Sequence, residues 1–261
     1  MTIHGFMTVK EDFGKLYDHL DCYDEVLAVE IPGHNGEANL DDFTVEATLE
    51  TVLSAYDTLR AKHDEVDVVG FSMGGALTTW VCAQRDVHKA VLLAPANKYF
   101  NFLMPIETIK FYGEHGIKPY FDKNSDESLS EKSYEIKKFF TSYFENIATS
   151  IRVLADNVHE EKLLTPRVYN VFRKLIKTCN KLVDQHSPVE TPTLVLWGRL
   201  DELVPHKSVK YVLQHFVKAQ NKIYEDIGHA MLYTNRDELI IEDILSFLTD
   251  GELSTEIAHR T

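Results

Sequence analysis

The stretch Gly70-Phe71-Ser72-Met73-Gly74-Gly75 follows directly on an apolar run that ends at Val69. It matches the pattern G-x-S-x-G, in which a sharp turn between a strand and a helix carries a serine at its tip. Small residues two positions before and after the serine let the strand and the helix pack closely, while the serine adopts a strained backbone conformation. Apolar residues at helical spacing follow from Ala76 to Ala83. The pattern therefore predicts that Ser72 is a nucleophile held above the edge of a sheet.

Composition and charge restrict the classes of protein to which this chain can belong. Its 261 residues are 44% hydrophobic and 26% charged, as in soluble globular proteins with one large core or a core and an insertion. There is no run of 18 apolar residues, and residues 1–5 do not resemble a signal peptide. The net charge of −14 disfavours binding to nucleic acid. Three widely spaced cysteines favour a reducing compartment, so we expect a cytoplasmic protein without stable membrane insertion.

Apolar strands alternate with amphipathic helices on both sides of a middle segment. This alternation predicts an α/β protein with a mostly parallel sheet that helices cover on both faces. The middle segment, residues 97–186, has 14 basic and 12 acidic side chains, whereas the whole chain has 27 and 41. Such a break indicates a separate unit. We therefore expect a core formed by residues 1–96 and 187–261, with residues 97–186 inserted in it.

The period of the apolar residues predicts the individual strands and helices. We expect about six strands, with residues 25–31 near an edge of the sheet, where the polar Glu30 is tolerated. Thr44 and Asn235 are the predicted N-caps of two long helices. The predicted strands span residues 1–3, 25–31, 66–69, 90–94, 193–197 and 222–224, and the predicted helices span residues 10–20, 45–59, 76–83, 207–217 and 236–248.

Three residues suited to nucleophilic catalysis, Ser72, Asp201 and His229, each follow a predicted strand. Because parallel strands end at the same edge of a sheet, we expect these side chains to lie close together. Their order along the chain, serine then acid then histidine, is that of the α/β-hydrolase fold. The chain resembles that family, and within it the carboxylesterases and the monoacylglycerol-lipase-like members. The motifs that carry the resemblance are His4-Gly5-Phe6, Gly33-His34-Asn35-Gly36, Gly70 to Gly75, Gly198-Arg199-Leu200-Asp201 and Gly228-His229.

The resemblance implies a role for each of these residues. A serine hydroxyl is a poor nucleophile at neutral pH, so His229 is expected to take its proton while Asp201 orients the imidazole. The backbone N–H groups of Met73 and Phe6 are the expected donors to the oxyanion. The chain begins almost at the loop that carries Phe6, so the first two strands of the full fold are expected to be missing; the alternative is that the start of the sequence is truncated.

Neighbouring residues admit more than one interpretation. Glu202 follows Asp201 and could serve as the acid instead. His4 and Gly5, which precede Phe6 in the loop after the first strand, are predicted to bind substrate. For His4 and His34, a packing or hydrogen-bonding role within the loops is a more common use of histidine than catalysis. Asp226 is close to His229 in sequence, but we expect it at the surface.

The inserted segment is expected to be a helical cap over the active site, because relatives insert caps at this place. It is rich in aromatic residues, among which Phe100, Phe140 and Phe144 are predicted to bind substrate. A small cap also needs aromatic residues for its own core. Residues 162–181 form a basic amphipathic helix candidate. That pattern fits contact with an anionic membrane or, more often, a cap helix with a solvated outer face.

These patterns together predict a serine hydrolase that cleaves carboxylic esters through an acyl-enzyme intermediate. The expected substrate is a small-molecule ester with an apolar acyl or aryl group, either a short- to medium-chain ester or a monoacylglycerol-like one. This chemistry needs no metal and no organic cofactor. The same residues would serve a C–C bond hydrolase, a thioesterase or an aminopeptidase. A ligand-binding protein on this fold with slow turnover is a further alternative.

Overall fold

The computed structural model describes residues 1–34, 40–98 and 166–250. In these ranges six parallel strands form one sheet in the order β2-β1-β3-β4-β5-β6. The predicted α/β architecture with about six parallel strands is therefore confirmed. Residues 25–31 were predicted as an edge strand, and β2 does lie at the edge, although it is shorter. The strands span Thr2–Ile3 (β1), Ala28–Val29 (β2), Val68–Phe71 (β3), Ala90–Leu93 (β4), Thr193–Gly198 (β5) and Ala219–Tyr224 (β6).

The helices of the described ranges lie at the predicted positions, although their ends differ by a few residues, and two of them also differ in type or in their N-cap. The helix predicted over residues 10–20 is a 3₁₀ helix with a kink at Gly14, whose φ is 48°. The last helix does not begin at an Asn235 cap, because the N–H of Ile240 donates to the carbonyl oxygen of Arg236, which takes the cap position instead. The α-helices span Val45–Arg60 (α1), Met73–Cys82 (α2), Pro166–His186 (α3), Lys207–His215 (α4) and Asp237–Asp250 (α5), and the 3₁₀ helices span Lys10–His19, Leu40–Asp42 and Met231–Tyr233.

The burial of the central strands explains why the sheet could be predicted from the sequence. Every residue of β3, β4 and β5 is buried, so these strands read as continuous apolar runs instead of alternating patterns. All ten residues of α2 are buried as well, because this helix packs directly on β3. The carboxyl ends of these central strands carry the loops in which Ser72 and Asp201 lie. Among the described helices, none has both the length and the apolar character that crossing a bilayer requires.

Helix α3 lies against the core, although the sequence pattern assigned its residues to the inserted cap. Its apolar stripe, which includes Phe172 and Cys179, is buried against α2 and α1. Asn180 donates to the carbonyl oxygen of Asn97 at 2.5 Å, and the amide of Asn97 donates to the side-chain oxygen of Asn180 at 3.1 Å. The basic side chains of this helix are exposed on the opposite face. The cap predicted over the rest of residues 97–186 falls mainly outside the described residues and stays a prediction.

The first turn of α1 offers a test of local stability. The hydroxyl of Thr44 accepts the N–H of Ala47 at 3.1 Å, which confirms the predicted N-cap. We expect Thr44→Ala to lower the free energy of unfolding by about 1 kcal/mol, because one N–H of the first turn loses its acceptor. Urea unfolding followed by circular dichroism measures the change. Thr58→Ala is the matched control, since it removes the same hydroxyl from an exposed position of the same helix. Equal effects of the two substitutions would contradict the capping role.

Candidate active site

Ser72 lies at the turn between β3 and α2, as the sequence pattern predicts. Its backbone has φ 54° and ψ −112°, a conformation that residues with a side chain rarely adopt. The turn needs the glycine at position 74, because a Cβ atom there would lie 1.9 Å from the carbonyl oxygen of Ile3. The first turn of α2 therefore rests directly on the main chain of the loop after β1. This contact places Ser72 and the loop that begins at His4 side by side.

The imidazole of His229 joins Ser72 and Asp201 through hydrogen bonds. Its Nε2 atom lies 3.0 Å from Oγ of Ser72, and its Nδ1 atom lies 2.9 Å and 3.1 Å from the two carboxylate oxygens of Asp201. All three side chains are buried, with 2%, 5% and 0% of Ser72, His229 and Asp201 exposed. Since a carboxylate only accepts hydrogen bonds, Nδ1 carries the proton and Nε2 accepts from the serine hydroxyl. The hydrogen-bonded chain can therefore remove a proton from Ser72.

The loop after β5 holds the carboxylate of Asp201 in place. Its Oδ1 atom accepts the backbone N–H of Leu203 at 2.9 Å and that of Val204 at 2.7 Å. The indole of Trp197 in turn donates to the carbonyl oxygen of Val204 at 3.0 Å. These bonds tie the aspartate to its own loop and leave Oδ2 nearest to the imidazole. The carboxylate consequently has one orientation, which fixes the direction of the His229 ring.

The electrostatic surroundings of His229 favour its protonated form. Burial lowers the pKa of this imidazole, but the nearby carboxylates of Asp201 and Glu202 outweigh burial. The net result is a pKa above the ordinary value for histidine. A base with a raised pKa accepts a proton more readily, and it must be neutral in the resting state in order to do so. Activity that depends on His229 should therefore rise with pH as this imidazole loses its proton.

The two residues predicted to supply the oxyanion donors, Met73 and Phe6, belong to the helix that follows Ser72 and to the loop that approaches it. Met73 is the first residue of α2, so its N–H is one of the four at a helix start that have no acceptor within the helix. On the other side, a Cβ atom added at Gly5 would lie 3.2 Å from Cβ of Ser72, which shows how closely the loop after β1 approaches. The ring of Phe6 is buried and lies 4.8 Å from that of Phe172 between centroids. Packing against α3 therefore fixes the loop that carries the second predicted donor.

His4 has a structural role in the same loop. Its Nε2 atom accepts the N–H of Ile31 at 3.2 Å, which leaves the proton on Nδ1 to donate to the carbonyl oxygen of Gly5 at 2.9 Å. Burial, with a smaller contribution from His34, lowers the pKa of His4 to about 3. The ring is therefore neutral and connects the loop after β1 to the end of β2. The ring also lies 3.5 Å from the hydroxyl of Thr8 and 5.5 Å from the ring of His34 between centroids. These contacts fit the packing interpretation, and the binding of substrate by His4 and Gly5 stays a prediction.

Glu202 makes a contact that the sequence did not predict. The sequence offered this residue only as a substitute for Asp201, but its Oε2 atom accepts the backbone N–H of His229 at 3.2 Å. Asp226, the other carboxylate near His229 in sequence, is about half exposed and pairs with Arg236 at 2.8 Å. The only signal for Glu202 was its place next to Asp201. Phe100, Phe140 and Phe144, the predicted substrate contacts of the cap, lie outside the described residues.

The chain was compared with family models, with curated proteins and with solved structures. The model of the alpha/beta hydrolase family matches residues 2–242. A monoacylglycerol lipase of Bos taurus is 21% identical over 89% of this chain and 70% of its own length. A pimeloyl-[acyl-carrier protein] methyl ester esterase of Neisseria meningitidis is 22% identical over 87% of this chain and 85% of its own. Among solved structures, the monoacylglycerol lipase of Paleococcus ferrophilus has a TM-score of 0.60 at 16% identity, covering 96% of this chain and 93% of that one.

Proposed function

This chain belongs to the alpha/beta hydrolase family, and from that premise we propose that it is a serine hydrolase that cleaves carboxylic esters through an acyl-enzyme intermediate. The observation that carries the proposal is the hydrogen-bonded chain from Ser72 through His229 to Asp201. The names of the relatives, which are esterases and lipases, support the same reaction class.

In the proposed reaction, Oγ of Ser72 attacks the ester carbonyl carbon while Nε2 of His229 takes the hydroxyl proton. The carbonyl oxygen becomes an oxyanion, which the N–H groups of Met73 and Phe6 would stabilise. The imidazolium then gives its proton to the departing alcohol, and the acyl group stays on the serine. In the second half, His229 takes a proton from water while the water oxygen attacks the acyl carbon. The bond from the acyl carbon to Oγ then breaks, the carboxylic acid leaves, and the imidazolium of His229 returns the proton to Oγ of Ser72. Asp201 stabilises the imidazolium in both halves.

Apolar surroundings support an ester with an apolar acyl or aryl group as the substrate. The ring of Phe71 lies 5.1 Å from that of His229 between centroids, so one side of the base is aromatic. The ring of Phe6, in the loop that carries the second predicted oxyanion donor, packs among Phe43, His34 and Phe172. Such side chains favour hydrocarbon over charged substrate groups. Short- to medium-chain esters and monoacylglycerols fit this preference.

The experiment that tests the proposal is steady-state hydrolysis of p-nitrophenyl esters with acyl chains from two to twelve carbons. We expect turnover, with kcat/KM rising from the shortest chain because apolar surface is buried. A parallel panel of aminoacyl amides and acyl thioesters tests the other reaction classes. Preference for either of those panels would replace the ester assignment. Absence of turnover from all panels would favour a ligand-binding protein.

We propose the cytoplasm as the location, because all three cysteines are free thiols. Cys22 is exposed, and Cys82 and Cys179 are buried. Free thiols persist in reducing compartments, whereas secreted domains generally pair them. Burial raises the pKa of Cys82 to about 12, so this thiol is unreactive. The expected partner is the small-molecule ester, and the acidic net charge of −14 opposes nucleic acid as a partner.

A further inference from the structure

We propose that Glu202 is a positioning residue for His229, holding its main chain and supporting the protonated imidazole through its negative charge. This inference rests on the proposed function of the site. The carboxylate of Glu202 is buried, with 8% of the residue exposed, and its Oε2 atom accepts the N–H of His229 at 3.2 Å. The role differs from that of Asp201, which contacts the ring and not the main chain.

The two adjacent carboxylates hold the histidine at two separate points. Asp201 binds Nδ1 of the ring, and Glu202 binds the backbone N–H of the same residue. A third bond joins the same two loops, since the N–H of Leu200 donates to the carbonyl oxygen of Ile227 at 3.0 Å. Residues of the loop after β5 therefore hold both the ring and the main chain of His229. That loop therefore sets the distance between Nε2 of His229 and Oγ of Ser72.

Besides accepting a hydrogen bond from the main chain of His229, Glu202 places a negative charge near its imidazole. In the part of the chain that the structure describes, the charged groups that influence His229 are the carboxylates of Asp201 and Glu202. The ring of Phe71, which is uncharged, lies against the imidazole. A buried carboxylate interacts more strongly with an imidazolium than an exposed one, because water does not screen it. Glu202 should therefore help to stabilise the imidazolium that forms when Ser72 attacks.

Two substitutions of Glu202 distinguish the effect of its hydrogen bond from the effect of its negative charge. Glu202→Gln keeps an oxygen that accepts the N–H of His229 and removes the negative charge. We expect it to move the acid limb of the pH profile of kcat/KM to lower pH, because the pKa of His229 falls when a carboxylate is lost. Glu202→Asp keeps the charge and shortens the side chain. We expect it to lower kcat about tenfold with the acid limb nearly in place, because His229 is less well held.

Controls distinguish this role from a structural one. Glu225→Gln removes an exposed carboxylate that pairs with Arg199 on the same loop, and it should leave both kcat and the acid limb unchanged. Rates are expressed per active site that reacts with a fluorophosphonate, so loss of folded protein does not count as loss of activity. If Glu202→Gln leaves the acid limb in place and Glu202→Asp leaves kcat unchanged, while the wild type turns over, the proposal is wrong.

A spectroscopic readout keeps the inference independent of turnover. Titration of His229 by NMR, in protein labelled with ¹⁵N-histidine, reports the pKa of this ring directly. We expect the pKa in Glu202→Gln to lie below that of the wild type, and Glu225→Gln to match the wild type. If the wild type has no ester turnover, the proposed function fails, and this titration still decides whether Glu202 acts on His229. An unchanged pKa in Glu202→Gln would overturn the electrostatic part.

Discussion

Replacing Ser72 by alanine is expected to lower kcat for ester hydrolysis by about 10⁵-fold or more, since removal of a triad nucleophile has effects of that order. Oγ is the only heavy atom lost, and it is the atom that lies 3.0 Å from Nε2 of His229. Covalent labelling by a fluorophosphonate should disappear as well. Mass spectrometry of the labelled wild type should place the adduct on Ser72. Activity assays and labelling together measure the effect.

Two comparisons make the Ser72→Ala result decisive. Ser54→Ala removes a hydroxyl from an exposed position of α1 and should leave labelling and kcat unchanged. Thermal unfolding should show that Ser72→Ala is folded, because alanine and serine have a similar backbone strain at φ 54°. If Ser72→Ala retains more than about a hundredth of the wild-type kcat, the nucleophile lies elsewhere and the proposed mechanism is wrong.

Asp201→Asn should lower kcat by about 10⁴-fold while leaving the fold intact. Asparagine has nearly the same shape, but one of its two positions is an NH₂ group that cannot accept the proton on Nδ1 of His229. The N–H groups of Leu203 and Val204 donate to Oδ1 of Asp201, so in the variant the amide oxygen would take that position and accept these bonds. The amide NH₂ would then face the imidazole and favour the wrong tautomer. The pH profile and kcat for an aryl ester provide the measurement.

Asp226→Asn is the matched control for Asp201→Asn. Asp226 precedes His229 by three residues, yet its carboxylate pairs with Arg236 at a half-exposed position. We expect its replacement to change kcat by less than about twofold, because surface ion pairs contribute little. Comparable losses in both variants would indicate a general effect of charge near the loop, and Asp201 would then lose its assigned role. Circular dichroism confirms that each variant is folded.

The centre of the fold was predictable because burial leaves a direct trace in the sequence. Strand β4 is buried on both faces and was predicted within one residue of its observed end at Leu93. Strand β2 was predicted from Glu25 to Ile31, but only Ala28–Val29 pair with the sheet. An edge strand has one neighbour, and the apolar period does not reveal where pairing with that neighbour stops. The predicted length of β2 was therefore wrong because the ends of this strand depend on its pairing with β1 and not on the local sequence.

The site was predictable to the extent that its residues belong to local motifs. Ser72, Asp201 and His229 each follow a strand, and the structure brings all three within hydrogen-bonding distance. The contact between Glu202 and the backbone of His229 depends on how two loops meet, 27 residues apart in sequence. No local sequence pattern predicts that these two loops lie close together. The buried face of α3 agrees with the apolar stripe predicted for residues 162–181, but its packing against α2 and α1 is a tertiary contact that no local pattern predicts.

The hydrogen bonds between Asn97 and Asn180 have a consequence for how this protein can diversify. They join Asn97, which lies shortly after β4, to helix α3, so contacts with the core hold together the two ends of the chain between residues 97 and 166. Lengthening a segment between fixed ends adds little to the entropy of loop closure. Insertions, deletions and exchanges between those boundaries can therefore accumulate without displacing Ser72. Because the predicted cap occupies this part of the chain, we expect that exchanging it between the two asparagines would change substrate selectivity and leave Ser72, His229 and Asp201 in place.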